Sequence, residues 1–216
     1  MNVKICGLTT LEDALAAVGL GADMLGFNFY PPSPRSLKPE AARQIIQALR
    51  KQGVKAQMIG VFVNEKPRQV LEVLETCGLD GAQLSGDEPP DDLTQIGPQA
   101  FKAIRPADLP AALLLAERYA RRGAPPALLL DARVAGQYGG TGRTADWKLA
   151  NVLARQYPVL LAGGLTPENL PQALQQVQPW GVDVASGVEA SPGVKDAGKL
   201  AAFIQAASQA EKGVVQ

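Results

Sequence analysis

Proton chemistry in this chain must rely on cysteine, carboxylate, lysine or tyrosine side chains, because its 216 residues include no histidine. The absence excludes catalytic triads and dyads built on imidazole, and it excludes metal sites with imidazole ligands. Two cysteines, Cys6 and Cys77, are too few for a zinc cluster or a disulfide framework. We expect no catalytic role for Cys77, which ends an apolar helical stretch before Gly78. Cys6 is therefore the candidate cysteine for chemistry.

Cys6 and Asp131 form the candidate acid–base pair. Cys6 ends the first apolar run of the chain, and nearby helix N-termini and cationic side chains are expected to favour its thiolate. Asp131 follows three leucines, and a carboxylate in so apolar a setting is expected to have a raised pKa and to act as an acid. Asp131 could equally cap the loop that follows it.

Two glycine-containing turns are candidates for binding a phosphate group. Gly163 and Gly164 follow the seventh apolar run, and Ser186 and Gly187 follow the eighth. Glycines let backbone N–H groups approach an anion, although ordinary strand-to-helix turns also contain them. Arg35 lies in a proline-stiffened loop and suits a carboxylate, unless it is simply a solvated surface arginine.

A glycine-rich stretch at 139–142 suggests a lid over such a site. Within it, Gly140 and Gly142 are candidate ligand contacts, as is Asp183 in the eighth run. Tyr138 and Trp147 are expected to have packing roles in the neighbouring loop and helix.

Eight apolar runs alternate with helical stretches and must position these residues. The runs are 2–6, 23–29, 57–63, 80–84, 100–104, 127–131, 158–162 and 181–185. The helical stretches are 10–19, 39–51, 67–77, 107–121, 146–155, 167–176 and 196–209, with a short turn of helix near 91–96. About 27 residues per unit predict a compact, single (β/α)8 barrel domain spanning 1–216, with its active site at the carboxyl ends of the strands. The alternative, an open doubly wound sheet, seldom needs eight strands in so short a chain.

Local signals refine this prediction at three places. Thr9 or Thr10 can cap the first helix, and Thr166 can cap a helix whose first residue is Pro167. Strand alternation turns Lys4 and Asp183 inward on the first and eighth strands, which are neighbours in a closed barrel. The sequence therefore predicts a buried Lys4–Asp183 pair beneath Cys6.

Charge and composition limit the possible partners. The 21 basic residues balance the 21 acidic ones, which argues against nonspecific binding to nucleic acid or to membrane surfaces. No G-x-G-x-x-G follows the first strand, and no Walker A motif is present. We see neither a signal peptide nor an apolar run of about 18 residues, so we expect a cytoplasmic protein.

The motifs taken together resemble the phosphoribosylanthranilate isomerase family. They are Lys4-Ile5-Cys6-Gly7, Gly21-Ala22-Asp23, Gly26-Phe27, Ser33-Pro34-Arg35, Gln83-Leu84, Leu130-Asp131, Gly139 to Gly142 with Asp146-Trp147, Ala162 to Leu165, and Asp183-Val184 with Ser186 to Glu189. The resemblance implies a cofactor-free Amadori rearrangement of N-(5-phosphoribosyl)anthranilate in tryptophan biosynthesis. It also implies that Cys6 is the general base, that Asp131 is the general acid and that Arg35 holds the anthranilate carboxylate.

One departure and several alternatives accompany the resemblance. Many relatives have histidine where this chain has Ser85, so a mandatory role for that histidine is not expected. A related phosphosugar isomerase of histidine synthesis is one alternative. That enzyme has a pair of aspartates, where this chain has Cys6 in place of the first, and it needs two phosphate sites. A catalytically inactive barrel that binds phosphorylated metabolites is another. The family's barrels are monomers or homodimers, and the sequence favours neither.

Overall fold

Eight parallel strands close into a barrel in the computed structural model, which describes residues 1–120, 123–132 and 145–213. The strands follow chain order around the barrel, and β8 pairs with β1 to close it. They are Asn2–Cys6 (β1), Met24–Asn28 (β2), Gln57–Phe62 (β3), Gly81–Leu84 (β4), Ala100–Ile104 (β5), Leu128–Leu130 (β6), Val159–Leu161 (β7) and Gly181–Val184 (β8). Each strand lies within its predicted apolar run. The predicted barrel is therefore confirmed, and the open sheet is wrong.

The helices follow the strands and cover the outside of the barrel. They are Leu11–Leu20 (α1), Pro39–Lys51 (α2), Pro67–Cys77 (α3), Pro90–Ile96 (α4), Leu109–Tyr119 (α5), Trp147–Ala154 (α6), Leu170–Val177 (α7) and Ala197–Gly213 (α8). Thr10 caps α1 as predicted, since its hydroxyl accepts a hydrogen bond of 3.2 Å from the Asp13 N–H. The short helix α4 fits the limited room after β4.

The start of α7 differs from the prediction. Thr166 does not begin a helix at Pro167, because Asn169 precedes the first helical residue, Leu170. The Asn169 side chain accepts a hydrogen bond of 2.8 Å from the Thr166 N–H and donates one of 2.8 Å to the Gly164 carbonyl. These bonds hold the loop after β7 in a turn, which delays the helix.

A small hairpin after β8 was not predicted from the sequence. Ser186–Val188 form a single 3₁₀ turn, and the antiparallel strands Glu189–Ser191 (β9) and Val194–Lys195 (β10) follow it. The turn between them contains Gly193 in the left-handed region, at φ +84°. The hairpin therefore lies at the carboxyl end of β8, where the site is expected.

The core has two layers, one between the barrel and its helices and one inside the barrel. The outer layer includes Val3, Ile5 and Val182, as strand alternation predicts. The inner layer is formed by side chains from successive strands: Met24, Ile59, Phe101, Ala103, Leu129, Leu160 and Ala162. This apolar filling supports the polar residues that stand above it at the carboxyl ends of the strands.

One buried ion pair lies outside the barrel wall. Lys102 on β5 contacts Glu88 at 2.9 Å, and both side chains are almost fully buried. Glu88 accepts hydrogen bonds from the N–H groups of Asn64 and Gly86. The pair therefore joins the loops after β3 and β4 to β5.

Candidate active site

A cavity of about 530 Å³ opens at the carboxyl ends of the barrel strands. It brings together the described candidate residues of the sequence analysis: Cys6, Arg35, Asp131, Gly163, Gly164, Asp183, Ser186 and Gly187. The candidates Gly140 and Gly142 lie outside the described residues, as does Tyr138. Because the lining groups come from β1, β2, β3, β4, β6, β7 and β8 or the loops that follow them, the closure of the barrel is what assembles the site.

Cys6 occupies the end of β1 and is buried, with 8% of its surface exposed. Its sulfur lies against Gly26 of the neighbouring strand, where an added Cβ would stand 2.8 Å from Sγ and 3.0 Å from Lys4 Nζ. Burial raises the pKa of the Cys6 thiol, although Lys4 and Lys195 act to lower it. The expectation that the surroundings favour the thiolate is therefore wrong for the free protein, because desolvation outweighs the cations.

The predicted pair beneath Cys6 is confirmed. Lys4 and Asp183 are register partners on β1 and β8, and Lys4 Nζ lies 2.7 Å from Asp183 Oδ1. Lys4 is fully buried. Burial opposes its charge, but Asp183 and Cys6 outweigh that effect and raise the pKa of the ammonium. A permanent positive charge therefore lies directly beneath the cysteine.

Asp131 stands at the end of β6 and faces the same cavity. Burial raises the pKa of its carboxyl to about 6, against the lowering effects of the Ala132 N–H and of Arg105. The Ala132 N–H donates a 2.8 Å hydrogen bond to Asp131 Oδ1, so the carboxylate also caps its own loop, the alternative role left open by the sequence. Gly163 makes room for this group, since an added Cβ there would lie 3.1 Å from Oδ1. The predicted raised pKa is confirmed.

The two candidate phosphate loops lie side by side. Gly163 and Gly164 both have left-handed backbones, at φ +86° and +61°. A Cβ at Gly187 would overlap the carbonyl oxygen of Leu165, so only glycine permits this approach of the two loops. Successive backbone N–H groups in such turns form concave anion sites.

Arg35 is held by an ion pair rather than by solvent. Its Nε and Nη2 donate hydrogen bonds of 2.7 Å and 2.6 Å to the two carboxylate oxygens of Glu189. Its side chain also crosses Gly7, where an added Cβ would overlap Arg35 Cδ. The hydrogen bonds that Arg35 donates to Glu189 raise the pKa of the guanidinium, which stays charged. The arginine is therefore fixed at the cavity wall.

Comparison with known proteins agrees with this geometry. The sequence profile of N-(5'-phosphoribosyl)anthranilate isomerase matches residues 3–206 of the chain. The chain belongs to this family. A relative named N-(5'-phosphoribosyl)anthranilate isomerase, from Roseiflexus castenholzii, is 48% identical over 98% of this chain and 100% of its own length.

Solved structures of phosphoribosylanthranilate isomerases share the fold over almost the whole chain. The enzyme from Thermotoga maritima has a TM-score of 0.86 and 38% identity, covering 97% of this chain and 99% of that one. A complex with reduced 1-(o-carboxyphenylamino)-1-deoxyribulose 5-phosphate has a TM-score of 0.83 and 37% identity, with the same coverage of both chains. The chain is thus a (β/α)8-barrel isomerase of tryptophan biosynthesis.

Ser85 marks the departure from many phosphoribosylanthranilate isomerases noted in the sequence. Its hydroxyl accepts a hydrogen bond of 3.0 Å from Gln83 Nε2, and both residues line the cavity. Arg105 donates to the Ser85 carbonyl and lowers the pKa of Asp131 by its charge. The loop after β4 therefore contributes polar groups to the isomerase site without a histidine.

Glu189 and Lys195 are the polar residues that sequence reasoning missed. Glu189 belongs to a motif of the isomerase family, but its sequence position does not indicate its contact with Arg35. The sequence Ser191-Pro192-Gly193 is a turn signal that could have predicted the hairpin carrying both charges.

The other described candidates have structural positions. The Cys77 thiol donates to the Pro39 carbonyl at 3.3 Å, away from the cavity. Trp147 begins α6 and packs against the outer core. Among the described residues, no helix combines the length and apolarity needed to span a membrane. The same residues contain no cluster of three or more carboxylate or thiol groups suited to a metal ion.

Proposed function

We propose that Cys6 is the general base and Asp131 the general acid of the isomerisation of N-(5'-phosphoribosyl)anthranilate. The observation that carries this proposal is the shared cavity, in which a thiol from β1 and a carboxyl with a pKa near 6 from β6 face the same space. Because the chain has no histidine, we assign the proton exchange to these two groups among the described residues that line the cavity.

In the first step Asp131 gives its proton to the ring oxygen of the ribofuranose. The bond from C1′ to the ring oxygen breaks, and the lone pair of the anthranilate amine forms a C1′=N iminium. In the second step the Cys6 thiolate removes the proton from C2′, which the iminium has made acidic. The resulting enolamine tautomerises to the ketose. Over the two steps C1′ is reduced while C2′ is oxidised within the same substrate, so the proposal needs no external oxidant or reductant.

The protonation states of the two groups follow from their surroundings. Burial raises the pKa of Cys6, whereas the pKa of Asp131 is about 6, so the thiol and carboxylate predominate at neutral pH. One proton shared by the two groups can lie on the Cys6 thiol, which leaves Asp131 ionised, or on Asp131, which leaves Cys6 as the thiolate. The reaction uses the second, less populated arrangement. The positive charge of Lys4 beneath the sulfur makes this form more accessible.

The remaining candidates hold the ends of the substrate. The paired loops of Gly163, Gly164, Ser186 and Gly187 suit the phosphate, and the fixed guanidinium of Arg35 suits the anthranilate carboxylate. Two remote handles orient the reacting carbons between the base and the acid. Asp183 acts below them by holding Lys4.

The test is turnover of freshly prepared N-(5'-phosphoribosyl)anthranilate, followed by the loss of its fluorescence. Cys6→Ser and Asp131→Asn should each lower kcat by about 10² to 10⁴, the usual contribution of one acid or base step. Cys77→Ser is the matched control and should keep wild-type turnover. Wild-type kcat in Cys6→Ser would refute the thiolate mechanism. Wild-type kcat in Asp131→Asn would refute the role of the acid.

We further propose that the protein works in the cytosol as a monomer or a homodimer. The biosynthetic role of the family supports the location. Sedimentation equilibrium of the purified protein distinguishes the two assemblies, and a larger species would contradict both.

A further inference from the structure

The hairpin β9–β10 carries two buried charges that face each other across its strands. Glu189 and Lys195 are register partners, and Lys195 Nζ lies 3.1 Å from Glu189 Oε1. Their side chains are only 4% and 1% exposed. Burying two charges costs several kcal/mol unless they are paired and hydrogen-bonded. Their contacts therefore indicate what this arrangement achieves.

Lys195 uses all three of its ammonium protons on the site. Besides Glu189, it donates hydrogen bonds to the backbone carbonyls of Cys6, at 2.7 Å, and of Ala185, at 3.2 Å. Cys6 is the proposed base, and Ala185 directly precedes Ser186 in the proposed phosphate loop. One side chain thus joins the ends of β1 and β8 at two elements of the site.

Glu189 extends the connection to the third element. It receives the bidentate hydrogen bonds of Arg35 through Nε and Nη2, and its Oε1 also accepts a bond of 3.3 Å from the Gly193 N–H. This geometry occupies one edge of the planar guanidinium. The edge formed by Nη1 and Nη2 is the one that can still bind a ligand carboxylate bidentately.

The charge of the cluster also suits an anion. A single carboxylate, Glu189, is shared by two cations, Arg35 and Lys195. The three groups together carry one net positive charge. Glu189 therefore orients Arg35 without cancelling its attraction for a carboxylate.

We infer that Glu189 and Lys195 are positioning residues that fix the spacing between the base, the phosphate loop and Arg35. This inference rests on the proposed roles of Cys6 and Arg35. Lys195 acts through the backbone at Cys6 and Ala185, and Glu189 acts through the guanidinium. The pair thereby sets how far apart the carboxylate and phosphate of a substrate must be.

A double-mutant cycle tests the connection through Arg35, using Arg35→Met, Glu189→Gln and the double variant. The substrate carboxylate does not change during the reaction, so losing its partner should raise KM and leave kcat nearly unchanged. We expect each single variant to raise KM by about 10-fold or more, the effect of one charge-assisted bidentate contact. The double variant should lie within about threefold of Arg35→Met, because Glu189 acts on the carboxylate only by way of Arg35.

Glu88→Gln is the matched control, because Glu88 is another buried glutamate paired with a lysine but lies outside the barrel wall. It should lower stability and leave KM within about twofold of the wild type. If Glu189→Gln does not fold, Glu189→Asp replaces it in the cycle. Aspartate keeps the charge but is too short for the bidentate contact, so KM should again rise.

Three results would overturn the inference, and each identifies a different error. An unchanged KM in Arg35→Met would refute the carboxylate-binding role of Arg35 and the positioning with it. If Arg35→Met raises KM but Glu189→Gln does not, the positioning role of Glu189 is refuted, and the carboxylate-binding role of Arg35 stands. The same conclusion follows if the two effects multiply in the double variant. An equal rise of KM in Glu88→Gln would show general destabilisation.

Discussion

The substitution Asp131→Asn should stabilise the protein above neutral pH while it removes the proposed acid. The wild-type carboxyl has a pKa raised to about 6 by burial, from an ordinary value of 3.8. The Asp131 Oδ1 that accepts the Ala132 N–H has a counterpart in asparagine, so this bond can persist. The substitution therefore removes the buried charge and leaves the local structure in place.

The size of the effect follows from the shift in the pKa. Because the folded-state pKa is the higher one, the stability that Asp131 contributes is complete below pH 4 and is lost as the pH rises to about 6. The shift of about two units corresponds to about 3 kcal/mol, which is an upper value because the carboxyl borders an open cavity. Asp131→Asn should match the wild type near pH 4. Above pH 6.5 it should exceed the wild type by up to about 3 kcal/mol, several degrees in Tm.

Urea unfolding of both proteins at pH 4.5 and pH 8 measures this difference directly. Comparing variant with wild type at each pH removes the titration of the other carboxylates. Asp23→Asn is not a suitable control, because the Asp23 carboxylate accepts a hydrogen bond from the Val3 N–H. Asp91→Asn, at the exposed first turn of α4, should show no comparable gain. The same stability difference at both pH values would refute the reasoning about the Asp131 charge.

Two further predictions concern the thiol. The profile of kcat/KM against pH should rise with a pKa near 6, which belongs to Asp131. It should fall above pH 9, because burial raises the pKa of Cys6. A fall near pH 7 would contradict this assignment. Gly26→Ala should lower kcat by about 10² because its Cβ would lie 2.8 Å from Cys6 Sγ and 3.1 Å from Cys6 Cα. Gly19→Ala, with open space around its Cβ, should keep wild-type kcat, and an active Gly26→Ala would argue against a fixed thiol.

The strands and most helices were predictable because their signals are local. Apolar runs, helix caps and glycines act over a few residues, and each strand lies within its predicted run. The Lys4–Asp183 pair was predictable although 179 residues separate the partners, because alternation and closure of the barrel place them side by side. The start of α7 was not predictable, because reciprocal hydrogen bonds between Thr166 and Asn169 hold these residues in a turn before the helix.

The electrostatic states of the site depended on the tertiary structure. The sequence placed cations near Cys6, but the depth of burial reversed the expected direction of its pKa shift. For Asp131 the apolar run before it correctly predicted the raised pKa, whose largest cause is burial. The sequence analysis did not weigh burial for Cys6, where it outweighs the nearby cations.

The sequence by itself determined the fold class, the isomerase family and which residues face the catalytic end of the barrel. Periodicity and turn chemistry carry the fold class and the placement of these residues, since both act between near neighbours in the chain, whereas the family follows from the resemblance of its motifs. Only the tertiary structure decided that Glu189 holds Arg35, 154 residues away, and that Lys195 holds the Cys6 carbonyl, 189 residues away. Such contacts are fixed by where the closed barrel places its loops, because charge pairing at about 3 Å depends on position in space rather than on spacing in the chain.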